Sequence, residues 1–408
     1  MPAPTPARTP ARTPPATGPD RTDAPPPAGP SADQDAALTE AVTRWFARHA
    51  RPLPWRRDPR DPWLTLMSEV MLQQTQAARV AERFERFARR YPTPQAMARL
   101  GLADVLARWS GLGYYRRARL LHECACAIVQ RHGGTVPSDP AALADLPGIG
   151  RYTAGAVLAI AFGLPQPLVD GNVMRVLLRL HGDDRPPERP EVRRWAWSRA
   201  EALACAARDV AAFSEGLMEL GATVCTPRSP ACLRCPLADR CRARAMHATD
   251  RIPRPRTRPA RSALALTAVV VHDEQGRVLL ERRPAQGLWA GLWQPPCVEH
   301  TGTTPIGRLR ALHALGLAQA VAVRPPSAAF TFATTHRQGV RTGLEGLGQG
   351  PRQGPERPAE AGRLGVVVHP GRPRLAGPGF GPAQDARGDP ATIGEQRRAA
   401  AWAHTVSR

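Results

Sequence analysis

The chain has 408 residues, 56 of them basic and 35 acidic, for a formal charge of +21. That length supplies two or three domains with cores of their own, and nowhere does it offer the run of about twenty apolar residues that a membrane helix needs. The charge favours a polyanionic partner, but every basic residue is an arginine and there are 45 prolines and 35 glycines, so a bias of the coding genome shares the credit.

Residues 1–36 are rich in Pro, Ala, Thr and Arg and lack apolar periodicity, which reads as a disordered tail. They also lack the apolar core of a secretory signal. The expected location is therefore cytoplasmic, at the nucleoid, where eight cysteines point to metal ligation or buried thiols over disulfides. Helical patterning begins with Leu38, Val42, Trp45 and Phe46, and Leu53-Pro54-Trp55-Arg56 follows as an extended segment. In 61–76, Glu69 stands alone among Leu66, Met67, Val70, Met71 and Leu72. Burial there would raise its pKa and suit it to general-acid work; a solvated glutamate on a helix face is the alternative. Further helices run from 77 to 131, broken by Ser110-Gly111-Leu112-Gly113-Tyr114-Tyr115. Its glycines and tyrosines suit either a nucleic-acid backbone and a stacked base or a helix cap with core tyrosines.

Leu146-Pro147-Gly148-Ile149-Gly150 sets two glycines in a turn before a helix that starts near Arg151. Glycines allow close approach, and free amides at a helix start suit a phosphate; an ordinary helix-turn-helix corner reads equally well. Asp170, between a proline-bearing loop and a helix with Val173, Val176, Leu177 and Leu180, reads on its own as an N-cap. Cys225, Cys232, Cys235 and Cys241 follow C-x6-C-x2-C-x5-C spacing. Four such thiolates hold zinc or a [4Fe-4S] cluster, and the single C-x2-C pair favours the cluster. Residues 251–262 form an Arg/Pro linker. Segments 264–271 and 278–282 read as a strand pair, followed by Gly287-Leu288-Trp289-Ala290-Gly291-Leu292-Trp293-Gln294. Beyond 339 the chain is mostly Gly, Pro, Arg and Ala, and only 364–368 suggests a strand.

Taken together, LPGIGR-T-A and VDGNVMRV resemble the helix-hairpin-helix DNA glycosylases, and SEVMLQQTQ, GLGYYRRA and the cysteine spacing resemble their adenine-specific, MutY-type branch. The resemblance is strong over 45–250 and weaker to about His336. It implies a mainly α fold, a six-helix domain plus an iron-sulfur cluster domain over 37–250, then an incomplete Nudix-like α/β domain over 263–338 and a low-complexity tail over 339–408. That tail is either a genuine extension or a frameshift product.

The same resemblance implies that Glu69 protonates the adenine leaving group and that Asp170 is the carboxylate on the sugar side. Tyr152 occupies the position where endonuclease III relatives carry lysine; a chain without lysine cannot form that Schiff base, so base removal without strand scission is expected. Gln73 and Leu112 are the implied wedges, Tyr114, Gly148 and Gly150 further DNA contacts, and Thr335 and His336 the contacts to oxidised guanine. Cys225, Cys232, Cys235 and Cys241 are the implied ligands of a structural [4Fe-4S] cluster. A glutamate-dense magnesium helix is missing from 306–317, which weighs against pyrophosphatase activity. The expected enzyme acts as a monomer on double-stranded DNA, removing adenine mispaired with 8-oxoguanine or guanine. An endonuclease III-like pyrimidine glycosylase is disfavoured by Tyr152 and SEVMLQQTQ, and a catalytically silent DNA-binding protein by the presence of both carboxylates.

Overall fold

A short polar side chain followed by proline recurs at helix starts: Asp61-Pro62, Thr93-Pro94 and Asp139-Pro140 each place the first side chain on a free amide and the proline where no donor is needed. The computed structural model describes residues 31–254, 262–272, 278–284, 286–287, 289–301, 321–333, 337–348 and 364–367. Its helices are α1 (Ala32–His49), α2 (Pro62–Leu72), α3 (Ala77–Arg90), α4 (Pro94–Arg108), α5 (Arg116–His132), α6 (Pro140–Ala144), α7 (Arg151–Phe162), α8 (Gly171–His181), α9 (Pro190–Ala206), α10 (Val210–Thr223) and α11 (Arg242–Ala245). A capping box between Ser31 and Gln34 starts α1 at Ala32, ahead of the expected boundary at 37.

The helices enclose two cores. One gathers α2 to α5 with the first half of α7, through Met67, Phe84, Trp109, Leu121 and Val157; the other gathers α1, α8, α9 and α10 through Val42, Phe46, Val176, Leu203 and Phe213. Helix α7 serves both, its Leu158 in the first and its Ala156, Ala159 and Ile160 in the second. A helix between two cores has no polar face to spare, and RYTAGAVLAIAF is apolar from Ala154 onward. Small residues also let the chain pass close by. A Cβ on Gly155 would lie 2.1 Å from the Pro167 carbonyl oxygen, on the loop that leads to Asp170.

The C-terminal part is a sheet of β1 (Ser262–His272), β2 (Val278–Arg282), β3 (Trp293–Gln294), β4 (Cys297–Thr301), β5 (Val321–Ala333), β6 (Arg337–Gly348) and β7 (Leu364–Val367). The order runs β3-β2-β1-β6-β5, with β4 on β1 and β7 on β2. The expected hairpin forms, with His272 opposite Val278, and Leu364–Val367 pairs antiparallel with β2. Strand β6 continues past 338, parallel to β1 from Ser262↔Arg337 to His272↔Leu347. Thr335, His336 and 306–317 lie outside the described residues. Among the described residues no helix is long and apolar enough to cross a membrane.

Because the Pro167 carbonyl occupies the space of a Gly155 side chain, Gly155→Ala is expected to cost about 1–3 kcal/mol in denaturant unfolding, the range for overpacking. Unchanged stability would mean that the 164–170 loop is free to move.

Candidate active site

Glu69 lies in the last turn of α2 and is 5% exposed. It faces a cleft of about 700 Å3 lined also by Tyr152 of α7, Asp170 and Asn172 at the start of α8, and Glu215, Met218 and Glu219 of α10. Removing a carboxyl from water disfavours its charged form, and burial is the main reason that Glu69 is pushed up to about 7. The Tyr152 hydroxyl donates to Oε2 at 2.9 Å and opposes the rise, Asp170 and Glu215 reinforce it, and Arg56 opposes it. Burial, with Glu69 and Asp170 nearby, holds the Tyr152 hydroxyl well above its ordinary pKa. It therefore remains a donor.

Asp170 is an N-cap, as its isolated sequence context suggests, and it also reaches the cleft. Its Oδ1 accepts from the Val173 amide at 2.7 Å and its Oδ2 from Asn172 Nδ2 at 2.9 Å, which fixes the carboxylate plane. Asn172 Oδ1 in turn accepts from Arg175 Nη2 at 2.8 Å, and Arg175 Nε donates to the Cys225 carbonyl at 2.7 Å. A hydrogen-bonded line thus joins Asp170 to the cysteine loop.

Two further buried acids enter the cleft, and sequence reasoning missed them. Arg51 and Arg56 donate to Glu219 at 2.6 and 2.9 Å, Arg56 donates to Glu215 at 3.1 Å, and Arg60 also pairs with Glu215. Burial holds Glu215 above the usual carboxylate range against both arginines. Burial also acts on Glu219, but Arg51 and Arg56 outweigh it and hold that group low. FSEGLMELG offered the same signal as Glu69, an acid in an apolar helical run, twice over at i, i+4.

Cys225, Cys232, Cys235 and Cys241 edge one small hollow with no carboxylate in its lining. Burial pushes the Cys235 thiol up to about 11, an amide at Leu237 opposes, and the other three thiols add to the rise. Among the described residues no three His, Cys, Asp or Glu side chains meet closely enough to hold a single ion. Four soft donors around a common space suit an iron-sulfur group over a hard cation.

The expected DNA contacts divide. Gly148 has φ +77°, and Gly150 caps α7 without a side chain, so the first amides of α7 have no side-chain cap in the way, while the Ile149 amide closes the turn on the Leu146 carbonyl at 3.1 Å. Gln73 points into the cleft and donates to Thr153 Oγ1 at 3.2 Å. Leu112 departs from the expectation of a wedge. Gly111 and Gly113, at φ +85° and +68°, turn the chain so that Leu112 enters the first core at 4% exposed, while Tyr114 is 46% exposed. The side chain that this turn presents outward is Tyr114.

Glu69 titrates near 7 when folded and near 4.5 when unfolded, so the folded state binds more protons between these values and loses stability as pH rises through them. Glu69→Gln is expected to be more stable than the parent chain at pH 8, by up to about 3 kcal/mol, with the gap closing below pH 4.5. A gap independent of pH would place the carboxyl in water.

The profile of the HhH-GPD superfamily base excision DNA repair proteins matches residues 67–202, that of the iron-sulfur binding domain of endonuclease III matches 225–241, and that of the NUDIX domain matches 267–348. The adenine DNA glycosylase of Mycobacterium tuberculosis is 48% identical over 198 residues, covering 47% of this chain and 63% of that one. The Homo sapiens adenine DNA glycosylase is 35% identical over 316 residues, covering 64% and 57%. The chain thus spans about three fifths of the length of these curated relatives. Among solved structures, a thermostable thymine-DNA glycosylase aligns at 28% identity and TM-score 0.48, over 53% of this chain and 100% of that one. Endonuclease III in a non-covalent DNA complex aligns at 25% and 0.44, over 54% and 99%. With Glu69, Asp170, the glycine turn and the cysteine loop in place, residues 67–202 are similar to the HhH-GPD superfamily of base excision DNA repair proteins, and the longer alignments are to adenine DNA glycosylases.

Proposed function

We propose that the protein is a monofunctional DNA glycosylase that excises adenine mispaired with 8-oxoguanine or guanine in double-stranded DNA. The observation that carries this reading is a buried carboxyl with a pKa near neutrality, Glu69, facing the same cleft as the fixed carboxylate of Asp170. Breaking an N-glycosidic bond puts positive charge on the sugar and negative charge on the base. One carboxyl must donate a proton while the other stays ionised, the general solution in glycoside hydrolysis. Glu69 delivers the proton to the departing adenine, Tyr152 orients it through Oε2, and Asp170 faces the oxocarbenium-like sugar. Water then completes the hydrolysis.

Adenine reaches the cleft only after leaving the stack, at a cost of a few kcal/mol. The Gly148–Gly150 turn grips phosphate, the Tyr114 turn enters the duplex at the site of extrusion, and Gln73 fills from the cleft side. The arginine-held acids Glu215 and Glu219 line the wall that an extruded base would meet. The thiols of Cys225, Cys232, Cys235 and Cys241 hold a [4Fe-4S] cluster, which when bound organises a loop bearing Arg228, Arg234, Arg240 and Arg242 for phosphate contact. In this reading the units are a catalytic part through about 250, an Arg/Pro linker and a Nudix-like reader of the base opposite adenine.

The test is single-turnover release of adenine from duplexes with adenine opposite 8-oxoguanine or guanine. Release from either is expected, with Glu69→Gln slower by about 10²–10⁴-fold, the usual worth of a general acid. The rate should fall as pH rises through about 7, where Glu69 loses its proton. Borohydride should trap no enzyme-DNA adduct through a side chain, since the chain has no lysine. Tight duplex binding without release from either substrate would leave a DNA-binding protein in place of an enzyme.

A further inference from the structure

Arg117, at the start of α5, is 7% exposed, and among the described residues no carboxylate pairs with it. A buried guanidinium without a counter-ion is costly, and burial lowers its pKa to about 10. Backbone oxygens compensate from two directions. Nη1 donates to the carbonyls of Val70 and Met71 at 3.0 and 2.7 Å, and Nη2 to those of Leu112 and Gly113 at 2.9 and 3.2 Å. Nη2 also reaches Thr75 Oγ1 at 2.9 Å. The guanidinium lies over the rings of Trp109 and Tyr114, at 5.2 and 5.6 Å from their centroids.

The two carbonyls on α2 follow Glu69 directly. A helix leaves its last carbonyls without intrahelical donors and with negative partial charge. Here Gln74, at φ +55°, ends the regular backbone, and the Thr75 amide bonds to Leu72 instead of Met71. Arg117 supplies the donors that the chain withholds. The other carbonyls belong to the turn whose glycines bury Leu112 and expose Tyr114.

We propose that Arg117 is a positioning residue for base excision, one guanidinium that locks the last turn of α2, with Glu69 and Gln73, to the Gly111–Tyr115 turn that meets the duplex. The proposal rests on the glycosylase reading above. It makes seating of Tyr114 in DNA and presentation of the Glu69 proton a single geometric event. Lysine cannot replace it, because one ammonium cannot span carbonyls on both elements in a planar fork.

The test uses the full chain with Arg117→Lys, Arg117→Met, Tyr114→Leu and the Arg117→Lys/Tyr114→Leu double variant. Three readouts are taken: single-turnover adenine release at saturating enzyme, affinity for a duplex bearing 2′-fluoro-2′-deoxyadenosine opposite 8-oxoguanine, and hydrogen exchange. Arg117→Lys is expected to slow release at saturation at least tenfold. The double variant should be no slower than about twofold below the worse single variant, the non-additivity of parts that act as a unit. Exchange should rise in residues 72–75 and 111–115 with the rest of the catalytic part unchanged. Wild-type release at saturation, or additive single effects with unaltered exchange in those segments, would overturn it. If Arg117→Met does not fold, Arg117→Lys still decides. If the parent chain itself releases no adenine, the glycosylase reading falls, and localised or unaltered exchange separately decides whether Arg117 ties the two segments.

Discussion

The structure depends on keeping one carboxyl, Glu69, out of water without neutralising it outright. Burial pushes such a group up, and Asp170 and Glu215 add to the rise. The Tyr152 hydroxyl and the more distant Arg56 pull it back, and the balance falls near neutrality. A proton held there is present in a large fraction of molecules at physiological pH and is released readily, the condition for efficient general-acid chemistry. The fold supplies this balance through α7, which lies between two cores and brings Tyr152 onto the face where α2 presents Glu69.

The cleft also carries more negative charge than one acid and one carboxylate require. Glu215 and Glu219 are both nearly inaccessible, and each remains tolerable because arginine forks reach two oxygens at once. Arg56 bridges the two acids and so ties the 50–60 segment to α10. A chain whose cations are all arginine has this geometry everywhere it needs it, since a planar guanidinium satisfies spread acceptors that an ammonium could not. The uniform use of arginine, which at the level of composition reflects the coding genome as much as function, becomes at this site a structural asset.

Most of the helical part was legible in the sequence because its signals were local. An apolar run around one acid, a glycine turn before a helix and four cysteines within 225–241 each declare themselves inside a short window, the range over which periodicity and turn chemistry operate. Asp170 is the N-cap that its isolated context suggests, and the same side chain lines the cleft. What stayed hidden was nonlocal. Nothing in GLGYYRRA says which of Leu112 and Tyr114 turns inward, since that depends on two positive-φ glycines set against the core beneath. The arginine partners of Glu215 and Glu219, and the partners that Arg117 finds at Val70, Met71 and Thr75, lie 42 to 168 residues away, a separation no pattern in a window can bridge. Strand β6 was hidden for a related reason: it is rich in glycine and looks like the start of a low-complexity tail, yet it pairs with β1 from Arg337 to Leu347.

Local fixation of Asp170 bears on what the cysteine loop contributes. In the proposed reaction the Asp170 carboxylate must not rotate, because its stabilisation of a developing positive charge depends on where its own charge sits. The Val173 amide holds one oxygen and Asn172 holds the other, and Asn172 is itself held by Arg175, whose guanidinium is anchored on the Cys225 and Gly221 carbonyls. Gly221 is a glycine for the same reason, since a Cβ there would come within 2.7 Å of Asn172 Cβ. The loop that carries the thiols is therefore the far anchor of the carboxylate. Order in that loop and orientation of Asp170 are one mechanical problem, and a structural role for a cluster there extends, through three side chains, to the edge of the cleft.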